Sequence, residues 1–329
     1  MNELFLTILK LQSESYDCSI MQDFILEHSF QNDYTIDIDD CGNIYITKGV
    51  SDSYPCIVAH MDTVHSILPD DEYCVIHDDR FAMAYNPKHK QLVGIGGDDK
   101  VGIYIALRMM QDLDYCKAAF FVDEEVGCHG SMKANMSFFS DARFVLQCDR
   151  KGNSDFVSSI FYADLYSDEF SKDILPIISR YGYSESDGGL TDVYQLHENG
   201  IGICVANMSC GYYNPHSDDE MISLEDVDNC MCMVYEIMTN CTKVYKHSRS
   251  VYYPTKSYGN YGNWVDSYND TPVSEKWDGW EYDGKKYTKK YDEYCWDCGV
   301  PVHSSKYGLC GQCERYHSGI SYKQENKII

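Results

Sequence analysis

The sequence predicts an α/β fold: a mostly parallel mixed sheet flanked by helices, followed by a small C-terminal zinc-ribbon module. Three observations carry that prediction. Up to about residue 245, short apolar runs alternate with helix-like patterns, the rhythm of parallel strands joined by crossover helices. Side chains able to bind a ligand recur where those runs end, and an open parallel sheet binds its ligands outside the carboxyl ends of its strands. The last fifty residues hold two Cys-x2-Cys pairs behind a stretch that nearly lacks aliphatic residues.

Taken in order, MNELFLTILKLQSESY reads as a short amphipathic helix, because it lacks the basic start and cleavable apolar stretch of a secretory signal. The expected strands are CIVAH from Cys56, KAAFFV from Lys117, ARFVLQC from Ala142 and IGICVAN from Ile201. The segment VGIYIALRMMQ from Val101 is apolar nearly all round, as befits a helix lying on the sheet. Ser223 followed by Leu224-Glu225-Asp226 starts a closing helix in the manner of a capping box. Residues 1–245 are thus one large domain. Residues 246–276, rich in Tyr, Ser, Gly and Asn, cannot build much core and read as a linker. Residues 277–329 hold a hairpin at WEYDGKKYTKKY, with Asp283-Gly284 as the turn, and then the cysteine pairs.

Composition narrows the function classes. Acidic residues outnumber basic ones by 52 to 27, a formal charge of −25, so the field that drives nucleic-acid binding would be repulsive. The same charge keeps the surface solvated and favours cations and basic substrates. Twelve of the sixteen cysteines are scattered among apolar neighbours, as at Cys56, Cys204, Cys230 and Cys232, which suits reduced thiols packed as small core residues in the cytoplasm. No apolar run approaches the length of a membrane span.

Five segments supply ligand-type residues at expected strand ends: HMD at His60 to Asp62, GGDDK from Gly96, DEEVGCHG from Asp123, CDR at Cys148 to Arg150, and NPHSDDE from Asn214. A two-zinc site needs about two terminal ligands per ion and one bridging carboxylate, with the ions about 3.5–4 Å apart. His60, Asp98, Glu125, Asp149 and His216 meet that requirement, and Asp62 is spaced to hold the other ring nitrogen of His60. Taken one at a time, such motifs are more often solvated loops or surface pairs. Their joint order carries the argument.

That order, HMDTVH, GGDDKVG, VDEEVGCHGS, a strand ending in CD, and a late HS, resembles the dizinc aminopeptidases, most closely the family of peptidase T and carboxypeptidase G. The likeness covers roughly residues 1–245. It implies a zinc-peptidase fold in which His60 and Asp149 complete one metal site, Glu125 and His216 the other, and Asp98 bridges them. It further implies that Glu124 is the general base acting on a metal-bridging water, that Asp62 orients His60, and that Asp99 and Lys100 follow the bridging aspartate, the lysine serving structure. The metals would be two Zn2+, with Co2+ or Mn2+ as substitutes. Only 66 residues lie between Asp149 and His216, where that family inserts a lid and dimerisation domain, so the chain is expected to be lidless. Within this segment SDGGLTD resembles a glycine-rich GGTD stretch of related enzymes, placing Thr191 and Asp192 either in the pocket or at a helix cap.

Cys295, Cys298, Cys310 and Cys313 have the spacing of four thiolates around one structural zinc. Few and mixed basic residues there favour a protein contact or a role in substrate access over nucleic acid. The implied activity is hydrolysis of peptide or amide bonds by an aminopeptidase or small-peptide hydrolase. The alternatives are a deacylase of N-acyl amino acids and a catalytically silent binding module that kept the fold.

Overall fold

The structure of the chain is a computed structural model that describes residues 2–161 and 163–248, together with four short strands beyond them. Asn2 caps α1 (Glu3–Lys10) by accepting the Phe5 N–H, and Phe5, Ile8 and Leu9 form its buried face. After α2 (Ser19–Gln31), an antiparallel ribbon of β1 (Thr35–Ile38) and β2 (Ile44–Lys48) leads into β3 (Tyr54–His60), which is buried along its whole length. The chain then leaves the sheet for β4 (Cys74–His77), β5 (Phe81–Asn86) and β6 (Gln91–Val93), and returns through α3 (Gly97–Asp112) to β7 (Cys116–Phe121). A single turn of helix, α4 (His129–Met132), precedes β8 (Ala142–Arg150).

Between Asp149 and His216 the chain builds β9 (Asp155–Ile160), β10 (Ala163–Asp164), α5 (Asp168–Arg180), β11 (Ser184–Gly188), α6 (Asp192–Glu198), β12 (Val205–Ser209) and the first strand of a second ribbon, β13 (Tyr212–Tyr213). β9 to β12 all join the main sheet, so no separate domain is inserted here. β14 (Met221–Ser223) runs into α7 (Leu224–Asn240), whose first turn Ser223 caps through the Asp226 N–H.

The main sheet has the order β1-β2-β7-β3-β8-β12-β9-β10, with β11 beside β9. Its centre, β7-β3-β8-β12, is parallel; β1, β2, β9 and β10 join antiparallel to their neighbours on this path, and β11 runs parallel to β9. This is the expected mostly parallel mixed sheet. Parallel strands are covered on both faces, which is why they read as continuous apolar runs. Three of the four expected central strands lie where the sequence places them. The fourth is shorter than IGICVAN: Gly200 and Gly202 take φ of +79° and +75°, and the regular strand starts only at Val205. Nine of the twelve cysteines among the described residues are buried, acting as small core side chains.

A second, antiparallel sheet, β13-β14-β5-β4 with β6 on β5, was not legible as a unit in the sequence. It carries the loop 214–220 and so supplies one side of the site described next. No described helix is long and apolar enough to cross a membrane. At the other end of the domain Lys246 pairs with Ile203 and the His247 N–H donates to the Gly202 carbonyl. Farther along, Trp280–Tyr282 pairs antiparallel with Tyr287–Lys289, and Glu293–Tyr294 with Pro301–Val302. Asp283, Gly284, Cys295, Cys298, Cys310 and Cys313 lie outside the described residues.

Candidate metal centre

His60 is the last residue of β3 and is fully buried between β7 and β8. Its Nδ1 lies 2.9 Å from the Asp62 backbone carbonyl, which turns Nε2 toward Asp98 Oδ1 at 3.1 Å and Asp149 Oδ1 at 3.6 Å. The Asp62 carboxylate is farther from the ring, at 3.5 Å, and is engaged elsewhere. It accepts the Glu124 N–H at 2.9 Å, the Glu125 N–H at 3.3 Å and the Ser15 hydroxyl at 2.7 Å. The aspartate expected to orient the histidine with its side chain does so chiefly with its main chain, while its carboxylate fixes the glutamate turn.

Asp98 stands where α3 begins. Gly96 takes left-handed φ of +68°, Asp98 and Asp99 are not yet helical, and the peptide between them is cis. The two oxygens of Asp98 face two different imidazoles, Oδ1 toward His60 and Oδ2 toward His216 Nε2 at 3.3 Å. A carboxylate so placed could reach two cations at once. Asp99 is also buried, but Oδ2 accepts the His60 N–H and Oδ1 the Gly102 N–H, so its carboxylate serves the backbone. Lys100 likewise donates inward, to the carbonyls of Ile95 and Leu9 and to the Tyr73 hydroxyl.

Glu124 and Glu125 sit in a tight turn after β7, opened by Asp123 at φ +55° and closed by Gly127 at φ +112°. Glu125 Oε2 lies 3.1 Å from His216 Nε2, and its Oε1 is buried without a protein partner. Glu124 Oε2 lies 4.0 Å from His60 Nε2, and Oε1 receives the Cys128 thiol at 3.4 Å. Asp149, at the end of β8, is held from four sides. The Gln147 amide donates to Oδ2 at 3.1 Å and the Thr191 hydroxyl lies 2.9 Å from it, while Tyr212 donates to Oδ1 at 3.2 Å and Asn207 brackets the Asp149 backbone. Thr191 thus occupies the helix-cap position of α6 with its hydroxyl directed at Asp149, and Asp192 is buried against Gln147. His216 lies on the β13–β14 loop at φ +63° with a side chain 51% exposed.

The electrostatics describe a centre short of positive charge. Burial, reinforced by the Asp98 charge, pushes Asp149 up to about 7. Burial also drives Glu124 well above the usual carboxylate range, against the pull of His60, and raises Glu125 against the pull of His216. Burial works against Asp98 too, yet hydrogen bonds from His216 and His60 hold it well below that range. The imidazoles answer in kind: contacts with Asp98 and Glu125 push His216 up to about 10, and Asp149, Asp62 and Asp98 raise His60 despite its burial. With donor atoms of His60, Asp98 and Glu125, and of His60, Asp99 and Asp149, within 4.8 Å of one another, the set fits divalent ions that accept imidazole and carboxylate. The unpartnered Glu125 Oε1 points to the same conclusion.

Ser15, Gln147, Asn207, Tyr212 and Glu220 escaped the sequence reading. Gln147 carried a signal, being a polar residue inside the apolar run ARFVLQC. The others come from distant segments or loops that nothing local distinguishes.

No protein-family model and no curated protein matches the sequence. Solved structures match in fold. Aminopeptidase PepT from Bacillus cereus ATCC 10987 superposes with a TM-score of 0.58 at 13% identity, covering 73% of this chain and 97% of its own. A tripeptidase from Staphylococcus aureus gives 0.57 at 14%, covering 72% and 96%. An aminopeptidase from the archaeon Desulfurococcus kamchatkensis gives 0.54 at 15%, covering 71% and 94%. The chain shares their fold.

Proposed function

We propose that this chain is a metal-dependent peptidase that removes residues from the amino end of short peptides. The observation that carries the reading is a convergence. Five chain segments bring His60, Asp98, Glu125, Asp149 and His216 together near the carboxyl ends of the central strands, beside a separate, mostly buried carboxylate, Glu124. Proteins of this fold described as an aminopeptidase, a tripeptidase and an archaeal aminopeptidase support it.

His60 and Asp149 would hold one ion, Glu125 and His216 the other, with Asp98 between them. Two divalent cations supply Lewis acidity when bound, lowering the pKa of a water and polarising the scissile carbonyl. Glu124 accepts the proton from the attacking water and delivers it to the leaving amine. Its burial suits it to that exchange by lifting its proton affinity well above the usual carboxylate range. Cys128 holds one oxygen of Glu124 and leaves the other facing the centre. Asp62 keeps the glutamate turn and the His60 ring in register. Thr191, Gln147 and Tyr212 fix the Asp149 carboxylate so that it meets a cation without reorganising. The physiological ions are proposed to be zinc, with cobalt or manganese as substitutes. A further structural zinc is proposed on Cys295, Cys298, Cys310 and Cys313, and that ribbon would contact a protein partner or the substrate path.

The test supplies zinc, cobalt or manganese and screens aminoacyl, dipeptide, tripeptide and N-acyl amino-acid substrates with the parent and Glu124→Gln. Release of amino-terminal residues by the parent alone is the expected outcome. Turnover confined to N-acyl amino acids would move the activity to a deacylase. No turnover of any class would leave a binding module.

A further inference from the structure

Glu220 is fully buried, an environment in which a carboxylate survives only with partners for its oxygens. Those partners are specific. Oε2 accepts the Gly96 N–H at 2.8 Å and lies 3.0 Å from His65 Nε2, and Oε1 accepts the Asp98 N–H at 3.1 Å. The acid is therefore wrapped by the backbone of the turn that presents Asp98. It belongs to the loop that presents His216, four residues earlier.

Two glycines keep this contact possible. A Cβ at Gly97 would stand 2.9 Å from Tyr212 Cβ and 3.3 Å from Glu220 Oε1, and a Cβ at Gly94 would fall within the His65 ring. Apart from the contacts of His216 itself with Asp98 and Glu125, the other bonds of the loop are local: Ser217 Oγ donates to the Asn214 carbonyl at 2.6 Å, and the Glu220 N–H to the Ser217 carbonyl at 3.3 Å. Such bonds shape the loop without placing it against α3. His216, half exposed at its tip, owes its position to whatever ties the loop down.

We infer that Glu220 is a positioning residue that locks the His216 loop to the Asp98 turn, with His65 completing the lock. It thereby sets the geometry of the metal position shared by Asp98, Glu125 and His216. The inference rests on the two-ion reading above. His60 and Asp149 stand on central strands and share only Asp98 with this lock, so the effect falls mainly on the ion of Glu125 and His216.

The experiment is calorimetric titration of the chelator-stripped chain with zinc, for the parent, Glu220→Gln and His65→Ala, at one pH. The parent should take up two ions in the catalytic domain, counted beside a Cys295→Ser/Cys298→Ser background that removes any ribbon zinc. Glu220→Gln should keep the tighter ion and bind the second about 10- to 100-fold more weakly, the range seen when a partner of a metal ligand is removed. His65→Ala should weaken the same ion by less. A merely structural role would lower stability and both affinities together, so equal weakening of both ions overturns the inference, as do two unchanged affinities. If Glu220→Gln does not fold, His65→Ala decides alone, and an unchanged second ion overturns the lock. A parent that binds fewer than two ions removes the two-ion reading itself, a failure visible without any variant.

Discussion

The two halves of the centre are built from different material. His60 and Asp149 stand at the ends of adjacent parallel strands and are held by hydrogen bonds with Asp62, Gln147, Asn207, Thr191 and Tyr212. Glu125 and His216 stand on a turn and a loop, the first with an oxygen left without a protein partner and the second half exposed. One half inherits its geometry from the sheet, where neighbouring hydrogen bonds over-determine each position. The other is assembled from loops and needs dedicated ties. Rigid elements hold ligands more precisely than loops do, so the two metal positions should differ in affinity and in their response to mutation.

The change that should have the largest effect spares that difference and removes the proposed proton acceptor. Glu124→Gln should lower kcat by about 10^2- to 10^4-fold while zinc content, measured by atomic absorption, stays near that of the parent. Retained turnover would show that another group takes the proton.

The second prediction attacks the comparison directly. His216→Ala should lose one ion and keep its fold, because the side chain lies at a loop tip. His60→Ala should lose metal and melt at a lower temperature, since it opens a cavity between buried strands. Equal losses of metal and of melting temperature in both variants would erase the distinction between the halves.

The third concerns pH. In the metal-free chain His216, raised to about 10, is protonated at neutral pH, and Asp149, raised to about 7, is partly so. Both must lose protons to bind a cation, so uptake releases protons and metal affinity rises as pH goes from 6 to 8. Calorimetry in buffers of different ionisation heat measures the release. Uptake near pH 7 with no proton release would contradict the charge balance derived for the centre.

A smaller effect is expected at Thr191, whose hydroxyl is one of several groups on Asp149. Thr191→Val should weaken metal binding by no more than about tenfold, at the low end for loss of such a partner. An effect as large as that of His60→Ala would mean that the strand-built half is less redundant than its hydrogen bonds imply.

Legibility in the sequence followed the same division. The central strands were readable because parallel strands covered on both faces are continuous apolar runs, and the candidate ligands stood out because they follow those runs or lie in the loops between them. The second sheet was not, since β13 and β14 are two and three residues long and acquire meaning only by pairing with β5, far away in sequence. Asp62 was found by its spacing from His60. That its carboxylate serves the glutamate turn depends on a contact across more than sixty residues, which no local pattern encodes. Glu220 lies within the stretch NPHSDDE that marked His216, but its neighbours make it look like one more solvated acid. Only the closing of the loop onto Gly96 and Asp98 buries it.

The central claim, a pair of ions bridged by one carboxylate, is tested most directly by anomalous diffraction from crystals grown with zinc in excess. Two peaks about 3.5–4 Å apart are predicted in the catalytic domain, with Asp98 between them, His60 and Asp149 on one and Glu125 and His216 on the other. A single peak, or a pair in which Asp98 touches only one ion, would contradict the account.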